Sequence, residues 1–199
     1  MGSAPTYLEP YVSATREHGA GFGSLLWNSP ASQAARFSAL TRLYDFRGRS
    51  ILDAGCGRGD FLDYLHARKI EPDHYVGLEA MEALAGAAEL KHHPRCTIVR
   101  ADFVREPIRM FVGADAVVFC GSLNTLDDAT FRETLRRAFD AAAEAIVFNF
   151  LSSTRLASAR YLSWHKLADV EAFVATLTPD YQSVCDYVDG DATVIARRV

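Results

Sequence analysis

Ser50-Ile51-Leu52-Asp53-Ala54-Gly55-Cys56-Gly57-Arg58-Gly59 is the stretch that decides the fold. A short apolar run ends in an acid, and glycines follow at alternate positions. This reads as a buried strand that turns sharply. The next residues, Gly59–Arg68, set Phe61, Leu62 and Leu65 at helical spacing, so the turn opens a helix. Glycines there let the backbone bend and let a ligand approach closely. A dinucleotide pyrophosphate asks for G-x-G-x-x-G with no opposing charge. Here the spacing is G-x-G-x-G, and Asp53 precedes the first glycine by two positions. An acid there repels pyrophosphate and suits a cation such as an ammonium or sulfonium. The alternative is a glycine-rich turn with a capping Asp.

Outward from this turn, strands and helices alternate. Residues 31–45 have a loose helical spacing of Ala35, Leu40, Leu43 and Tyr44. Strands are expected at His74–Glu79, Cys96–Arg100, Asp115–Cys120 and Ala145–Leu151, with helices at Ala80–Leu90, Ala129–Ala142 and Lys166–Thr176. Tyr181–Val188 and Ala192–Arg198 flank Asp189-Gly190-Asp191, whose Asp-Gly pair predicts a tight hairpin. The order implies an α/β, Rossmann-like, doubly wound and mostly parallel sheet of seven strands, closed by a C-terminal antiparallel hairpin. Ligands of such sheets bind beyond the C-terminal strand ends.

Three of those ends carry acids. Besides Asp53, Glu79 ends the second strand and Asp102 follows the third. Glu79 suits the two hydroxyls of a ribose, or caps the next helix. Asp102 accepts from an exocyclic adenine amine while Phe103 packs on the base, or it forms an ordinary turn. The fourth strand ends in Cys120-Gly121-Ser122-Leu123-Asn124-Thr125, where a substrate would lie. Asn149 interrupts an apolar strand and needs a hydrogen-bond partner, as a buried bridge or a substrate contact.

These residues resemble the class I S-adenosylmethionine-dependent methyltransferases. ILDAGCGRGDFLDYL is similar to their first motif, VGLEAM to their second and ADF to their adenine motif. The resemblance runs from about residue 50 to the C-terminus. It implies S-adenosylmethionine as cofactor and methyl transfer as the activity. It assigns Asp53, Gly55 and Gly57 to the methionine end, Glu79 to the ribose and Asp102 with Phe103 to the adenine, and it makes Cys56, Ala80, Met81 and Cys120 further cofactor-binding candidates. The segment Trp27-Asn28-Ser29-Pro30-Ala31-Ser32-Gln33-Ala34-Ala35-Arg36-Phe37 resembles a W-x-S-x-x-S-Q-x-x-R-F stretch in a group of uncharacterised bacterial class I methyltransferases, as do FNFLSS at Phe148–Ser153 and Asp186-Tyr187. Trp27, Gln33 and Arg36 are therefore cofactor candidates. Gln33 and Arg36 stand three apart on one helix face, for the methionine carboxylate or a lid over it, or on a surface helix. Residues 1–45 are expected to form a helical lid or extension, with Tyr7, Tyr11, Phe22 and Trp27 giving it aromatic character. Residues 46–199 are expected to form the cofactor-binding domain.

No catalytic base stands out. His18, Cys120, Asn124 and His165 are candidates, though a lone His or buried Cys is more often structural. The strand-four end lacks the Asn/Asp-Pro-Pro-Tyr/Phe motif of methyltransferases acting on adenine, cytosine or glutamine. The acceptor expected is a small molecule. Two other functions compete: a protein that binds S-adenosylmethionine or its demethylated product as a sensor or scaffold, and a nicotinamide-dependent oxidoreductase. Asp53 and the glycine spacing disfavour the second.

The totals agree with this class. The chain has 199 residues, 49% hydrophobic and 23% charged, enough for one domain with a full core. A net charge of −4 disfavours a bulk nucleic-acid binder. Arg132, Arg136 and Arg137 form either a solvated face or a local basic patch. Four cysteines without a C-x-x-C pair read as reduced thiols of a cytoplasmic protein. His92-His93-x-x-Cys96 lacks a fourth ligand, so no metal is expected. No apolar run approaches the ~20 residues that span a bilayer, and no signal peptide is seen. Gly2 and Thr6 match a loose myristoylation pattern without a polybasic companion. A monomer or homodimer is expected.

Overall fold

The computed structural model describes residues 4–199. Gly2 of the myristoylation pattern lies outside them. Thirteen main elements follow one another: α1 Glu9–His18, α2 Pro30–Leu43, β1 Ser50–Ala54, α3 Asp60–Ala67, β2 His74–Glu79, α4 Glu82–Glu89, β3 Cys96–Arg100, β4 Ala116–Phe119, α5 Asp128–Ala141, β5 Ala145–Leu151, α6 Leu167–Val174, β6 Tyr181–Val184 and β7 Asp191–Arg197. The sheet has the order β3-β2-β1-β4-β5-β7-β6. The first five strands run parallel, and β7 pairs antiparallel with both β5 and β6. The α/β doubly wound architecture is therefore present, with β1 and β4 at the point where the order reverses.

The apolar runs of the strands are continuous because both faces of the sheet are covered. Along each strand the side chains alternate between two cores. Leu52, Val117, Ile146 and Phe148 join Phe131, Leu135 and Val170 on one face. Ile51, Val118, Val147 and Ile195 join Leu40, Phe46, Phe61 and Leu65 on the other. Ser29 caps α2 by accepting from the Ser32 N–H at 3.1 Å, and Pro30 follows where its missing N–H costs nothing.

Two features differ from the sequence expectation. The first is the closing hairpin, which is wide rather than tight at Asp189-Gly190. Val184 pairs with Thr193, leaving residues 185–190 as a loop. Asp191 is drawn into β7, where it is buried against Arg36 and Tyr187, so it cannot turn in solvent. The second is α1, which lacks an apolar face of its own and buries only Ala14 among its residues. It packs against the short helical turn Phe22–Leu25, where the Ser24 hydroxyl donates to the Ala14 carbonyl at 3.2 Å, rather than forming on helical periodicity.

Arg132 and Arg136 lie over the Phe173 ring, 5.4 and 5.6 Å from its centroid, and Arg137 pairs with Glu133 on α5. That stretch is a packed and solvated helix face. Among the described residues no helix is long and apolar enough to cross a membrane.

Candidate active site

A cleft of about 1020 Å³, measured out to its open mouth, lies at the C-terminal ends of β1, β2 and β4. Asp53, Gly55, Cys56, Gly57, Glu79, Ala80, Met81, Asp102, Phe103 and Cys120 all line it. The N-terminal segment closes the other side with Tyr7, Leu8, Tyr11, Leu25, Leu26 and Trp27.

The β1 turn is shaped by close approach. Gly55 has φ +84°, and a Cβ there would fall 2.4 Å from the Ser122 Cβ and 3.4 Å from the Phe103 ring. Only glycine admits the loops after β3 and β4 that closely. Ser122 fastens this junction by donating to the Ala54 carbonyl at 2.6 Å.

The three acids differ in how their oxygens are used. Glu79 is buried and accepts from the Gly57 N–H at 2.9 Å and the Met81 N–H at 2.7 Å. Burial pushes its carboxyl up, and those backbone donors pull it part of the way back. Glu79 thus ties the β1 turn to the start of α4, and each oxygen keeps a lone pair. Asp102 caps its own turn, its Oδ1 accepting from the Val104 N–H at 3.0 Å, while Oδ2 accepts from the Tyr7 hydroxyl at 2.7 Å. Phe103 meets Phe119 edge-on at 5.5 Å, which sets its ring beneath the cleft.

Asp53 is different. It is 2% exposed, and one oxygen accepts from the Tyr75 hydroxyl, but Oδ1 has no hydrogen-bond partner. Burial pushes its carboxyl up to about 7, against the Tyr75 hydrogen bond and with a further push from Glu79. A buried carboxylate with one free oxygen, on a residue that lines a cleft, is costly unless something cationic pairs with it.

Two groups beside it were not singled out in the sequence. Arg58 donates to the Ala20 carbonyl at 3.3 Å and to Asp60 at 3.0 Å, yet its buried Nε has no partner. Asp60 also takes Gln33 at 3.2 Å and Lys91 at 3.1 Å. Burial works against the Asp60 charge, but Arg58 and Lys91 outweigh it and hold the carboxyl below its usual range. Arg58 stood in the quoted glycine stretch; its cation was legible, its direction was not.

The remaining candidates separate. Trp27 and Gln33 line the cleft, but Arg36 does not. Its guanidinium is taken by buried Asp191, with Nε donating at 2.5 Å, and by Ser32 at 2.8 Å. Gln33 and Arg36 share a helix, yet one meets Asp60 and the other β7. His18 ends α1 with its ring against Gly23, away from the cleft lining. His165 is buried in the core, stacked 4.0 Å from the Phe131 centroid and bonded to Asp128 at 2.7 Å. Burial lowers its pKa, and Asp128 only partly restores it. Neither histidine reaches the cleft. Cys120 and Asn124 do line it. Burial pushes the Cys120 thiol up, so it stays protonated. Asn124 accepts from the Leu151 N–H at 3.3 Å, which leaves its amide to donate. Asn149 bridges β5 to the β4 end, accepting from the Gly121 N–H at 2.8 Å and donating to the Cys120 Sγ at 3.2 Å. It is the structural bridge of the two alternatives.

A family model described as "Methyltransferase domain" matches residues 51–144. The match holds the β1 turn, all three acids and the β4 end. Residues 51–144 therefore match a methyltransferase domain. Solved structures share this architecture. DhpI in complex with SAH is similar at a TM-score of 0.71, with 15% identity over 97% of this chain and 95% of that one. Magnesium protoporphyrin IX methyltransferase from Synechocystis PCC 6803 with bound SAM aligns at 0.68, with 14% identity over 100% of both chains. A SAM-dependent methyltransferase from Archaeoglobus fulgidus aligns at 0.65, with 17% identity over 83% of this chain and 92% of that one. At such identities the likeness speaks for the fold. No curated protein matches the chain.

Proposed function

We propose that the protein transfers the methyl group of S-adenosylmethionine to a small-molecule acceptor at the β4 end of this cleft. The observation that carries the reading is the unpartnered Oδ1 of buried Asp53, a residue that lines the cleft between glycine turns. It fits the methionine ammonium, which supplies both charge and donor. The buried, unpartnered Nε of Arg58 fits the methionine carboxylate, with Gln33 alongside. Glu79 keeps lone pairs for ribose hydroxyls, and Asp102 with Phe103 forms the adenine end.

Bound there, the cofactor supplies a methyl group on sulfonium, which accepts the acceptor's lone pair while sulfur keeps the carbon–sulfur electron pair. The chain's own residues align the two partners, which converts an encounter into a near-unimolecular step. Trp27, Asn124, Thr125 and Leu162 wall the acceptor end. Burial holds the Tyr11 phenol and the Cys120 thiol protonated, so they act as donors or walls rather than bases. The acceptor therefore brings its own lone pair, as an amine, thiolate or carboxylate does. Residues 1–45 act as the lid, and residues 46–199 as the cofactor-binding domain.

Calorimetry with S-adenosylmethionine, followed by a tritiated-methyl screen of small-molecule pools, tests this. Binding with turnover on a pool member is expected. Binding with no turnover on any pool would favour a sensor, and absence of binding would remove the reading altogether. Deleting residues 1–25 should abolish methylation while leaving cofactor binding measurable; unchanged turnover would refute the lid.

A further inference from the structure

Arg36, displaced from the cofactor, is held by an arrangement more elaborate than a tether needs. It is 4% exposed, and its fork reaches Asp191 and Ser32. The Tyr187 hydroxyl donates to the other oxygen of Asp191 and lies 2.7 Å from Thr193 Oγ1, so the carboxylate is fixed from both sides. The flat guanidinium then lies over the Trp27 indole, 4.8 Å from the ring centroid.

Trp27 in turn rests on the β4 end. A Cβ on Gly121, whose φ is +75°, would fall 2.7 Å from the indole Cη2. Gly121 is anchored through its N–H to Asn149. The indole is therefore clamped between a buried cation and a glycine backbone, and it lines the cleft. A buried ion pair is weak evidence for stability on its own, because desolvation offsets its attraction. A planar guanidinium stacked on an aromatic face, with its fork satisfied, instead fixes that face in one orientation.

We infer that Arg36 is the positioning residue for the acceptor end of the cleft: pinned by Asp191, it holds the Trp27 indole as the wall beside the β4 end. This rests on the assignment of the β4 end to the acceptor. Arg36 touches neither reacting partner and acts through Trp27. Segments that are distant in sequence (Trp27 to Arg36, Asn149, Tyr187 and Asp191) thereby serve one surface.

The chain has two tryptophans, so full-length Trp164→Phe, excited at the red edge where tyrosine does not absorb, leaves Trp27 as the sole emitter. In that background, Trp27 emission and acrylamide quenching are compared for the parent, Arg36→Met, Arg36→Lys and Tyr187→Phe, with the Kd for S-adenosylhomocysteine taken by calorimetry. Arg36→Met should red-shift the emission and raise quenching several-fold. Arg36→Lys should move both in the same direction by less, because an ammonium is a point charge and not a stacking plane. Tyr187→Phe removes one support of Asp191 but keeps both the Arg36–Asp191 pair and the guanidinium over the indole, so its emission should shift less than in either Arg36 variant. The Kd for S-adenosylhomocysteine should stay at the parent value in Arg36→Lys.

Parent-like emission in both Arg36 variants, or an equal shift in Tyr187→Phe, would overturn the inference. So would a loss of S-adenosylhomocysteine affinity in Arg36→Lys with Trp27 unmoved, which would return Arg36 to the cofactor. Should Arg36→Met not fold, Arg36→Lys against Tyr187→Phe decides alone. If S-adenosylhomocysteine fails to bind even the parent, the cofactor assignment falls, whereas the emission result still tests the clamp.

Discussion

Asp53 and Asp191 are both buried carboxylates at the ends of central strands, and they are finished in opposite ways. Asp191 opens β7 with Arg36 on one oxygen and Tyr187 on the other. Asp53, near the end of β1, has the Tyr75 hydroxyl and a free oxygen. Burial pushes both carboxyls up, but at Asp191 the chain itself provides a cation that opposes it. A charge that folding has neutralised belongs to the architecture. A charge left half-satisfied beside a cleft is kept for a ligand, and the chain tolerates its cost until that ligand arrives.

The largest expected effect is at Asp191. Asp191→Asn leaves Arg36 buried without its counter-charge and should lower unfolding free energy by about 3–5 kcal/mol, read by urea denaturation. Asp53→Asn should do the reverse to the ligand-free chain, leaving stability equal or higher. Equal losses in the two variants would erase the distinction between the sites.

For the ligand, the ranking inverts. Asp53→Asn should weaken S-adenosylmethionine by roughly 2 kcal/mol, about 30-fold in Kd, through loss of a buried charge pair. A shift of less than a few-fold would mean that the ammonium is held elsewhere.

The pH dependence sharpens the same contrast. Asp53 has a folded pKa of about 7 against an unfolded value of 3.8. Between those values the folded chain binds the extra proton, so its contribution to stability falls as pH rises from about 4 to 7 and stays low above. Glu79 and Asp191 share that sign, whereas Asp60, Asp127 and Asp186 have the opposite one. The difference between parent and Asp53→Asn isolates the Asp53 part. In thermal melts, the parent should gain on the variant as pH drops from 8 to 5, and a constant gap would contradict the assignment.

The smallest effect is at Tyr7, whose hydroxyl occupies the Asp102 oxygen assigned to the adenine amine. Tyr7→Phe removes that competitor and should tighten S-adenosylmethionine by about 0.5–1.5 kcal/mol, the worth of one hydrogen bond. Weaker binding in calorimetry would mean that Tyr7 supports the adenine end instead.

The parallel half of the sheet was legible because its strands are apolar on both faces and end in acids and glycines. β1, β2, β3 and β5 fall on the residues expected. The pattern also located the three acids, since each lies at a strand end or just past one. What it could not give was direction. Gln33 and Arg36 share a helical spacing, yet only tertiary contacts decide that one faces Asp60 and the other Asp191. Arg58 lay in plain view among the glycines, but its orphaned Nε exists only once Ala20 and Asp60 surround it. α1 lacks an apolar stripe, and the Asp-Gly turn signal was overruled by the burial of Asp191. His165 was a candidate base although a lone His is more often structural, and stacking on Phe131 made it core.

The central claim is that Asp53 waits for the cationic end of the methyl donor. Calorimetry of S-adenosylmethionine binding near pH 6, in buffers of different ionisation enthalpy, tests it most directly. At that pH the ligand-free Asp53 is largely protonated, so pairing with the ammonium should release up to one proton, and Asp53→Asn should release none. Binding without proton release in the parent, or equal release and affinity in Asp53→Asn, would contradict the account.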